Sequence, residues 1–304
     1  MLKDRVAIVT GGAHGIGRAH CLELAAHGAV VVIADPGMTL SGELEDGLAA
    51  DAVAQEIRAL GGTAHAVGVS VTDYEGTAAL VRDVVEEFGR LDIVVNNAGN
   101  ARDRMILDMD EEDWDSVVAV HMKGTWNLTK HAATYWQSQA ASGAQVSGRI
   151  INTASGSGMR GIPGQTSYSA AKSGLAMFTI VSAIELEPLG VTVNAVAPVA
   201  RTRMNVATDG VPPAAPGEFD SYATENSSPI VAYLASEQAG WITGQIIRVD
   251  GNKLRFYKRW DTSEQAFHLD QKRALRADEV DLGLKALYGV RPLALKDRRL
   301  RAWQ

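Results

Sequence analysis

Seven short runs of apolar and β-branched residues recur along the chain, at Val6 to Val9, Val30 to Ala34, Ala64 to Val69, Ile93 to Val95, Arg149 to Asn152, Val191 to Val196 and Ile246 to Val249. Helix-length segments separate them. A strand that is apolar along its whole length has to be buried on both faces, and bringing the next such strand in parallel needs a connection long enough to hold a helix. The alternation therefore predicts an α/β fold, a doubly wound parallel seven-stranded sheet with helices on both sides, in a single domain with a C-terminal extension. Val53, Ile57 and Leu60 mark one helical stripe, and Leu80, Val84, Val85 and Phe88 mark another. Each is closed by a glycine, Gly61 or Gly89, as a helix C-terminus favours.

Two segments interrupt this rhythm. Pro36 to Gly47 follows the second strand, and residues 203–228 include Val211-Pro-Pro-Ala-Ala-Pro-Gly217. The second lacks a core pattern and is expected to be a mobile cover over a site.

The 304 residues, 46% hydrophobic and 21% charged, suffice for one large core. The one cysteine, Cys21, excludes a disulfide framework within the chain, and neither an apolar leader nor a run of about 18 apolar residues is visible. A cytoplasmic protein without a membrane span is expected. The net charge of −7 is unevenly spread: residues 251–304 hold 13 Lys and Arg against 7 Asp and Glu, which leaves that tail at +6 and the body at −13. The tail is expected to pack on its own acidic body or on a neighbouring subunit, with contact to an anionic substrate group as the alternative. An acidic body without a recognition module argues against nucleic-acid binding, and no metal-ligand set stands out.

The first apolar run leads into Thr10-Gly-Gly-Ala-His-Gly-Ile-Gly17 and then a helical pattern. Glycines between a strand and a helix let backbone approach a pyrophosphate, and the helix N-terminus adds unpaired N–H groups and a favourable dipole. Gly11, Gly15, Ile16 and Gly17 are the candidate contacts. Asp35 ends the second run, 18 residues after Gly17, where a carboxylate binds adenosine ribose hydroxyls and repels a 2′-phosphate. NAD is expected over NADP. His14 is given no role beyond filling the turn.

Tyr168 and Lys172 are four apart and share a helix face, while Ser155 follows the fifth strand. A tyrosine hydroxyl ionises near pH 10; a nearby lysine ammonium and a nicotinamide positive charge would both lower that, and about two or three units would suffice to make it a working acid/base. Ser155 can hydrogen-bond the substrate oxygen as charge develops on it. Lys172 can also hold the nicotinamide ribose.

With Thr10 to Gly17, Asn96-Asn-Ala-Gly99, Ser155, Tyr168-x-x-x-Lys172 and Val193-Asn-Ala-Val-Ala-Pro198 in this order, residues 1–251 resemble the short-chain dehydrogenase/reductase family. The resemblance implies a Rossmann-like NAD-binding catalytic domain over 1–251 and places 252–304 as a basic extension. It implies Tyr168 as proton donor and acceptor, Ser155 as its partner, and Lys172 as the residue that tunes Tyr168. It also implies cofactor contacts at Asn96, Ala98 and Gly99, and a homodimer or homotetramer assembled through helices around Trp114 to Trp136 and Tyr168 to Glu187. Within the family, Leu48-Ala-Ala-Asp51, Arg102-Asp-Arg104, Glu112-Asp-Trp114, Val120-His121 and Gly164-Gln-x-x-Tyr168 are similar to the dehydrogenase module of peroxisomal-type multifunctional β-oxidation enzymes acting on 3-hydroxyacyl-CoA. Some mycobacterial-type relatives of that group look like steroid-catabolic dehydrogenases.

Four departures from the family pattern stand out. His121 occupies the position of a family asparagine and falls on a face shared with Val117, Gly124 and Leu128, as a buried histidine whose backbone carbonyl could still hold a relay water. Ser70, next to Val71, replaces the usual aspartate at the adenine edge. Pro198-Val199 replaces Pro-Gly after the sixth strand, which bears on whether Thr202 reaches the nicotinamide amide. The chain also continues some 50 residues past the usual end. The expected activity is NAD-dependent interconversion of a secondary alcohol and a ketone, in the direction of oxidation, on a 3-hydroxyacyl-CoA or steroid-like substrate. The alternatives are reduction of a 3-oxoacyl thioester or xenobiotic carbonyl and, remotely, a non-catalytic dinucleotide-binding regulatory subunit.

Overall fold

The computed structural model describes residues 1–38, 49–202, 212–258 and 277–288. Seven parallel strands form the sheet: β1 Val6–Thr10, β2 Val30–Ala34, β3 Thr63–Val67, β4 Ile93–Asn96, β5 Arg149–Thr153, β6 Thr192–Val199 and β7 Ile246–Asp250. An eighth, β8 Lys253–Phe256, runs antiparallel at the edge, giving the order β3-β2-β1-β4-β5-β6-β7-β8. Sequence reasoning stopped at seven because every residue of β8 is exposed and charges alternate with apolar residues, so no buried run announces it.

The helices are α1 Gly15–Ala26, α2 Ala49–Ala59, α3 Tyr74–Phe88, α4 Glu111–Val118, α5 Thr125–Ala141, α6 Gly156–Arg160 and α7 Thr166–Leu186, followed by a shorter helix Ser228–Leu234. β1 and β2 are buried almost throughout, and two apolar layers sandwich the sheet. Leu24, Ile57 and Leu234 belong to one layer, and Leu80, Leu128 and Trp136 to the other. Trp136 is 2% exposed, and its indole N–H donates to the Leu91 carbonyl at 2.7 Å, so a large ring is buried without an orphaned donor. Asp73 caps α3 by accepting from Gly76 N at 2.9 Å, and Gly89 ends it in the left-handed conformation at φ +74°.

The chain divides into two compact units, 1–257 and 258–304. The first extends past the boundary at 251 drawn from the sequence because β8 completes its sheet. In the second, the helix Ala277–Tyr288 is described. Residues 39–48 and 203–211 lie outside the described residues, and with them Leu48, most of the Pro36 to Gly47 segment and the first third of the expected cover. Its remainder, 212–228, holds turns and a 3-10 turn at Thr224–Ser227. Among the described residues, Thr166–Leu189 is the one helix long and apolar enough to cross a membrane. It packs on β6 and carries Tyr168 and Lys172.

Candidate active site

β1 pairs with β2 on one side and β4 on the other, so the strand order reverses at β1 and a crevice opens at the carboxyl ends of β1 and β4. The glycine turn sits there. Gly11 has φ +65°, and a β-carbon on it would lie 2.8 Å from the Ala98 Cα, so glycine is required for conformation and for space. A β-carbon on Gly17 would collide with the Gly11 carbonyl oxygen. Gly15 and Ile16 open α1, with His14 as an extended N-cap.

Asp35 stands at the end of β2. One carboxylate oxygen accepts Ala13 N at 3.0 Å and the other accepts Gly37 N at 2.9 Å, which holds the acid group against the glycine turn. Ser70 is occupied locally, with its hydroxyl 2.9 Å from Thr72 Oγ1, while the Val71 carbonyl accepts Asn127 Nδ2 at 2.8 Å.

The four residues from the end of β4 onward, Asn96 to Gly99, divide their labour. Asn96 turns away from the crevice: its side chain donates to Thr129 Oγ1 at 3.2 Å and Asn152 Oδ1 at 2.9 Å and is 4% exposed. Asn97, which the sequence did not single out, donates to the carbonyls of Thr10 and Gly11 at 3.0 and 3.1 Å. The Thr10 hydroxyl accepts Asn97 N and Ala98 N at 3.0 Å each, so Thr10 and Asn97 brace the glycine turn against the β4 loop. The adjacency of Thr10 to the glycines and of Asn97 to Ala98 was the available signal. Gly99 lies under His121, whose Cε1 would be 2.6 Å from a β-carbon there.

Pro198 and Val199 end β6 beside Val249 and Asp250. Thr202 comes next to the glycine turn, with its methyl 3.9 Å from a β-carbon position on Gly15 and its hydroxyl buried without a partner. A buried orphan hydroxyl costs free energy that a hydrogen-bonding ligand would recover. Together with Asp35 at the ribose position, these residues fit a dinucleotide.

Ser155 caps α6, its hydroxyl accepting Ser157 N at 3.2 Å, and hydrogen-bonds Tyr168 from the first turn of α7. One turn on, the Lys172 ammonium lies 5.7 Å from the centroid of the Tyr168 ring and donates to the Thr153 carbonyl. Ser155, Tyr168 and Lys172 are thus brought together across β5 and α7. Burial pulls Lys172 down to about 7. It also raises Tyr168, a rise opposed by the Ser155 hydrogen bond and reinforced by the nearby Asp103 carboxylate. In the cofactor-free protein enclosure thus penalises the phenolate, whereas the sequence led to the expectation of a tyrosine lowered by the lysine ammonium and a nicotinamide charge.

His121 is 1% exposed in a π-helical turn, Ala119–Gly124, between α4 and α5. Its Nε2 is 2.8 Å from the Asn100 carbonyl, its ring meets Tyr168 edge to face at 5.2 Å, and its Nδ1 is buried without a partner. Burial and the nearby Lys172 push it well below the ordinary histidine range, so it is neutral near pH 7. Nε2–H then donates to Asn100 and Nδ1 keeps a lone pair.

The short chain dehydrogenase family model matches residues 5–209. A solved short chain dehydrogenase from Mycobacterium avium is similar with a TM-score of 0.84 at 45% identity, covering 96% of this chain and 97% of that one. Hydroxyacyl-CoA dehydrogenase ChsB1 of Mycobacterium tuberculosis is 40% identical over 256 residues, 82% of this chain and 78% of that protein. A 3-oxoacyl-[acyl-carrier-protein] reductase of Synechocystis is 39% identical over 84% of this chain and 99% of its own length. The peroxisomal hydratase-dehydrogenase-epimerase of Saccharomyces cerevisiae is 40% identical over 235 residues, and the match spans 25% of its length.

Proposed function

Because this chain belongs to the short-chain dehydrogenase family and is an oxidoreductase acting on hydroxyl and keto groups, we propose that it oxidises a secondary alcohol to a ketone with NAD, on a 3-hydroxyacyl-CoA or steroid-like hydroxyl. The observation that carries this reading is the convergence of Ser155, Tyr168 and Lys172 beside a crevice whose glycine turn, Asp35 and orphan Thr202 hydroxyl suit a dinucleotide. Gly11, Gly15, Ile16 and Gly17 would receive the pyrophosphate. Asp35 would take the adenosine ribose, and the Ser70 to Val71 backbone the adenine edge. Ala98, Gly99, Pro198 and Val199 would line the inner half, with Asn96 supporting the β4 loop from behind.

A nicotinamide held by these residues would supply the acceptor for the substrate's hydride. Tyr168 takes the hydroxyl proton at its phenolic oxygen, and Ser155 orients that oxygen and stabilises developing alkoxide charge. Lys172 holds the ribose and, when protonated, offsets the burial that raises Tyr168. His121 acts as a neutral positioning residue through its backbone and its contact with the tyrosine ring.

The opposite direction, reduction of a 3-oxoacyl thioester, uses the same three residues and is favoured as a second reading by the similarity to the acyl-carrier-protein reductase. We place the protein in the cytoplasm as a homo-oligomer. A turnover panel with NAD and NADP against hydroxyacyl-CoAs, hydroxysteroids and neutral alcohols tests the reading. Unchanged oxidation of every accepted substrate by Tyr168→Phe would refute the mechanism.

A further inference from the structure

Gly156, the residue after Ser155, is a meeting point for three polar side chains from three separate segments. A β-carbon built on it would lie 3.2 Å from Arg160 Nη2, 3.3 Å from Arg248 Nη1 and 3.3 Å from Tyr257 Oη. Arg160 closes α6, Arg248 sits in the middle of β7, and Tyr257 follows β8. In the antiparallel β7–β8 ladder, Arg248 stands directly opposite Arg255, and Asp250 opposite Lys253. Cross-strand partners share a sheet face. That face therefore presents Arg248, Lys253 and Arg255, joined by Arg160 from α6, against one carboxylate, Asp250, already engaged by Arg248 at 3.1 Å.

Two arginines opposed across an antiparallel pair repel each other, and the ion pairs among the described residues include none to Arg160 or Arg255. Charges on an edge strand discourage pairing with another chain, which accounts for Lys253 and Arg255 singly. It does not account for Arg160 and Tyr257 arriving at the same spot. The concentration of positive charge is local, since residues 1–250 as a whole are strongly acidic. The Tyr257 oxygen accepts from the Arg248 guanidinium, which leaves the tyrosine O–H and the remaining guanidinium N–H groups of Arg248 and Arg160 as donors suited to phosphate or carboxylate oxygens.

We propose that this cluster is an anion-recognition subsite that takes a phosphate or carboxylate of the substrate and so orients the substrate toward Ser155. The inference rests on the reading of the chain as a dehydrogenase of acyl thioesters or steroid-like alcohols and extends it to what else the substrate must carry. A carboxylate close to the reacting carbon would meet Arg248 and Tyr257. A phosphate at the end of a long thioester arm would meet the exposed Arg160 and Arg255.

The test uses the full-length protein and the double variant Arg160→Gln/Arg255→Gln, both positions being exposed, with thermal unfolding as a check on folding. Calorimetric titration with free coenzyme A and with inorganic pyrophosphate reads the site without turnover, and binding at least tenfold weaker in the variant is expected. In turnover, kcat/KM for a 3-hydroxyacyl-CoA is compared with that for the matching N-acetylcysteamine thioester, which lacks phosphate. A steroid-like hydroxy acid is compared with its methyl ester. A tenfold fall in the first ratio in the double variant assigns phosphate, and a tenfold fall in the second ratio in a separate Arg248→Gln variant, its folding checked in the same way, assigns carboxylate. Anion affinities and both ratios unchanged within twofold would overturn the subsite. If the wild type oxidises none of these substrates yet binds pyrophosphate through the arginines, the dehydrogenase reading fails and the anion site stands.

Discussion

Lys172 donates from Nζ to the carbonyl oxygen of Thr153 at 2.5 Å, which ties the helix carrying Tyr168 to the end of the strand that leads into Ser155. The same enclosure strips water from the ammonium and pulls it down to about 7 from an ordinary 10.5. Between these values the unfolded chain holds a proton that the folded one lacks, so stability of the cofactor-free protein should rise with pH across about 7 to 10.5. The penalty is fully present below that window and fades through it. Lys172→Met should flatten the slope and stabilise the free protein near pH 7 while lowering turnover roughly a hundredfold. Urea unfolding at a series of pH values, read beside steady-state rates, checks both halves. A slope unchanged by the substitution would mean that Lys172 is not the group responsible.

Tyr168→Phe removes the hydroxyl proposed to exchange a proton with substrate while leaving the ring that meets His121. Turnover should fall by about 10²–10⁴-fold, with dinucleotide affinity changed only a few-fold. Fluorescence titration of the cofactor beside turnover separates the two. Because burial raises Tyr168 in the free protein, oxidation should quicken as pH rises through neutrality and the small phenolate fraction grows, while reduction, which uses the protonated phenol, should stay level over that range. A flat profile for oxidation would contradict a tyrosine proton acceptor.

The strands were readable because a strand buried on both faces has to be apolar throughout, as Val30 to Ala34 and Ile93 to Val95 are. The pairing of Tyr168 with Lys172 was readable because a helix places the two on one face whatever the tertiary fold. The brace between Thr10 and Asn97 was not, since a hydroxyl and an amide that meet 87 residues apart leave no local pattern. Asn96 shows the same limit from the other side: strand alternation turns it toward Asn152, and one sequence cannot tell which neighbour in Asn96-Asn97 faces the crevice. The π-helical turn under His121 was hidden too, because its residues continue an ordinary helical pattern.

Asp35 is held by Ala13 N and Gly37 N and presents its carboxylate beside the glycine turn. Asp35→Ser should weaken NAD about 10–100-fold through lost charge-assisted hydrogen bonds, and should weaken NADP less because the repulsion of a 2′-phosphate goes with the carboxylate. Parallel titrations with both cofactors give the ratio. A wild type that prefers NADP would refute the assignment of Asp35 outright.

Gly99 and His121 form a close contact that a single methyl would break, since a β-carbon on Gly99 would be 2.6 Å from the imidazole. Gly99→Ala should displace His121 against Tyr168, cutting turnover and cofactor affinity together by about tenfold or more. His121→Ala opens a cavity in a fully enclosed position and should cost about 2 kcal/mol or more of stability. His121→Asn keeps the backbone carbonyl and should retain more turnover than His121→Ala. Should His121→Ala match the wild type in rate and melting temperature, the histidine would have no positioning role.

Met177, Val181 and Ile184 on α7 lie at i, i+4 and i+7 and are 49%, 43% and 66% exposed, so one face of the helix that carries Tyr168 presents an apolar stripe to solvent. Trp126 on α5 is 44% exposed. Large apolar side chains aligned on a surface mark an interaction face, and closed symmetric dimers pair the same patch on both subunits. Ile184→Glu would place a charge in the middle of such an interface, where its desolvation opposes association. Sedimentation velocity at micromolar protein should show a dimer or tetramer for the wild type and a shift toward monomer for Ile184→Glu. Because Tyr168 and Lys172 sit on the same helix, turnover per chain should fall on dilution in step with dissociation. A wild type that sediments as a monomer, or a variant that assembles as the wild type does, would remove α7 from the interface.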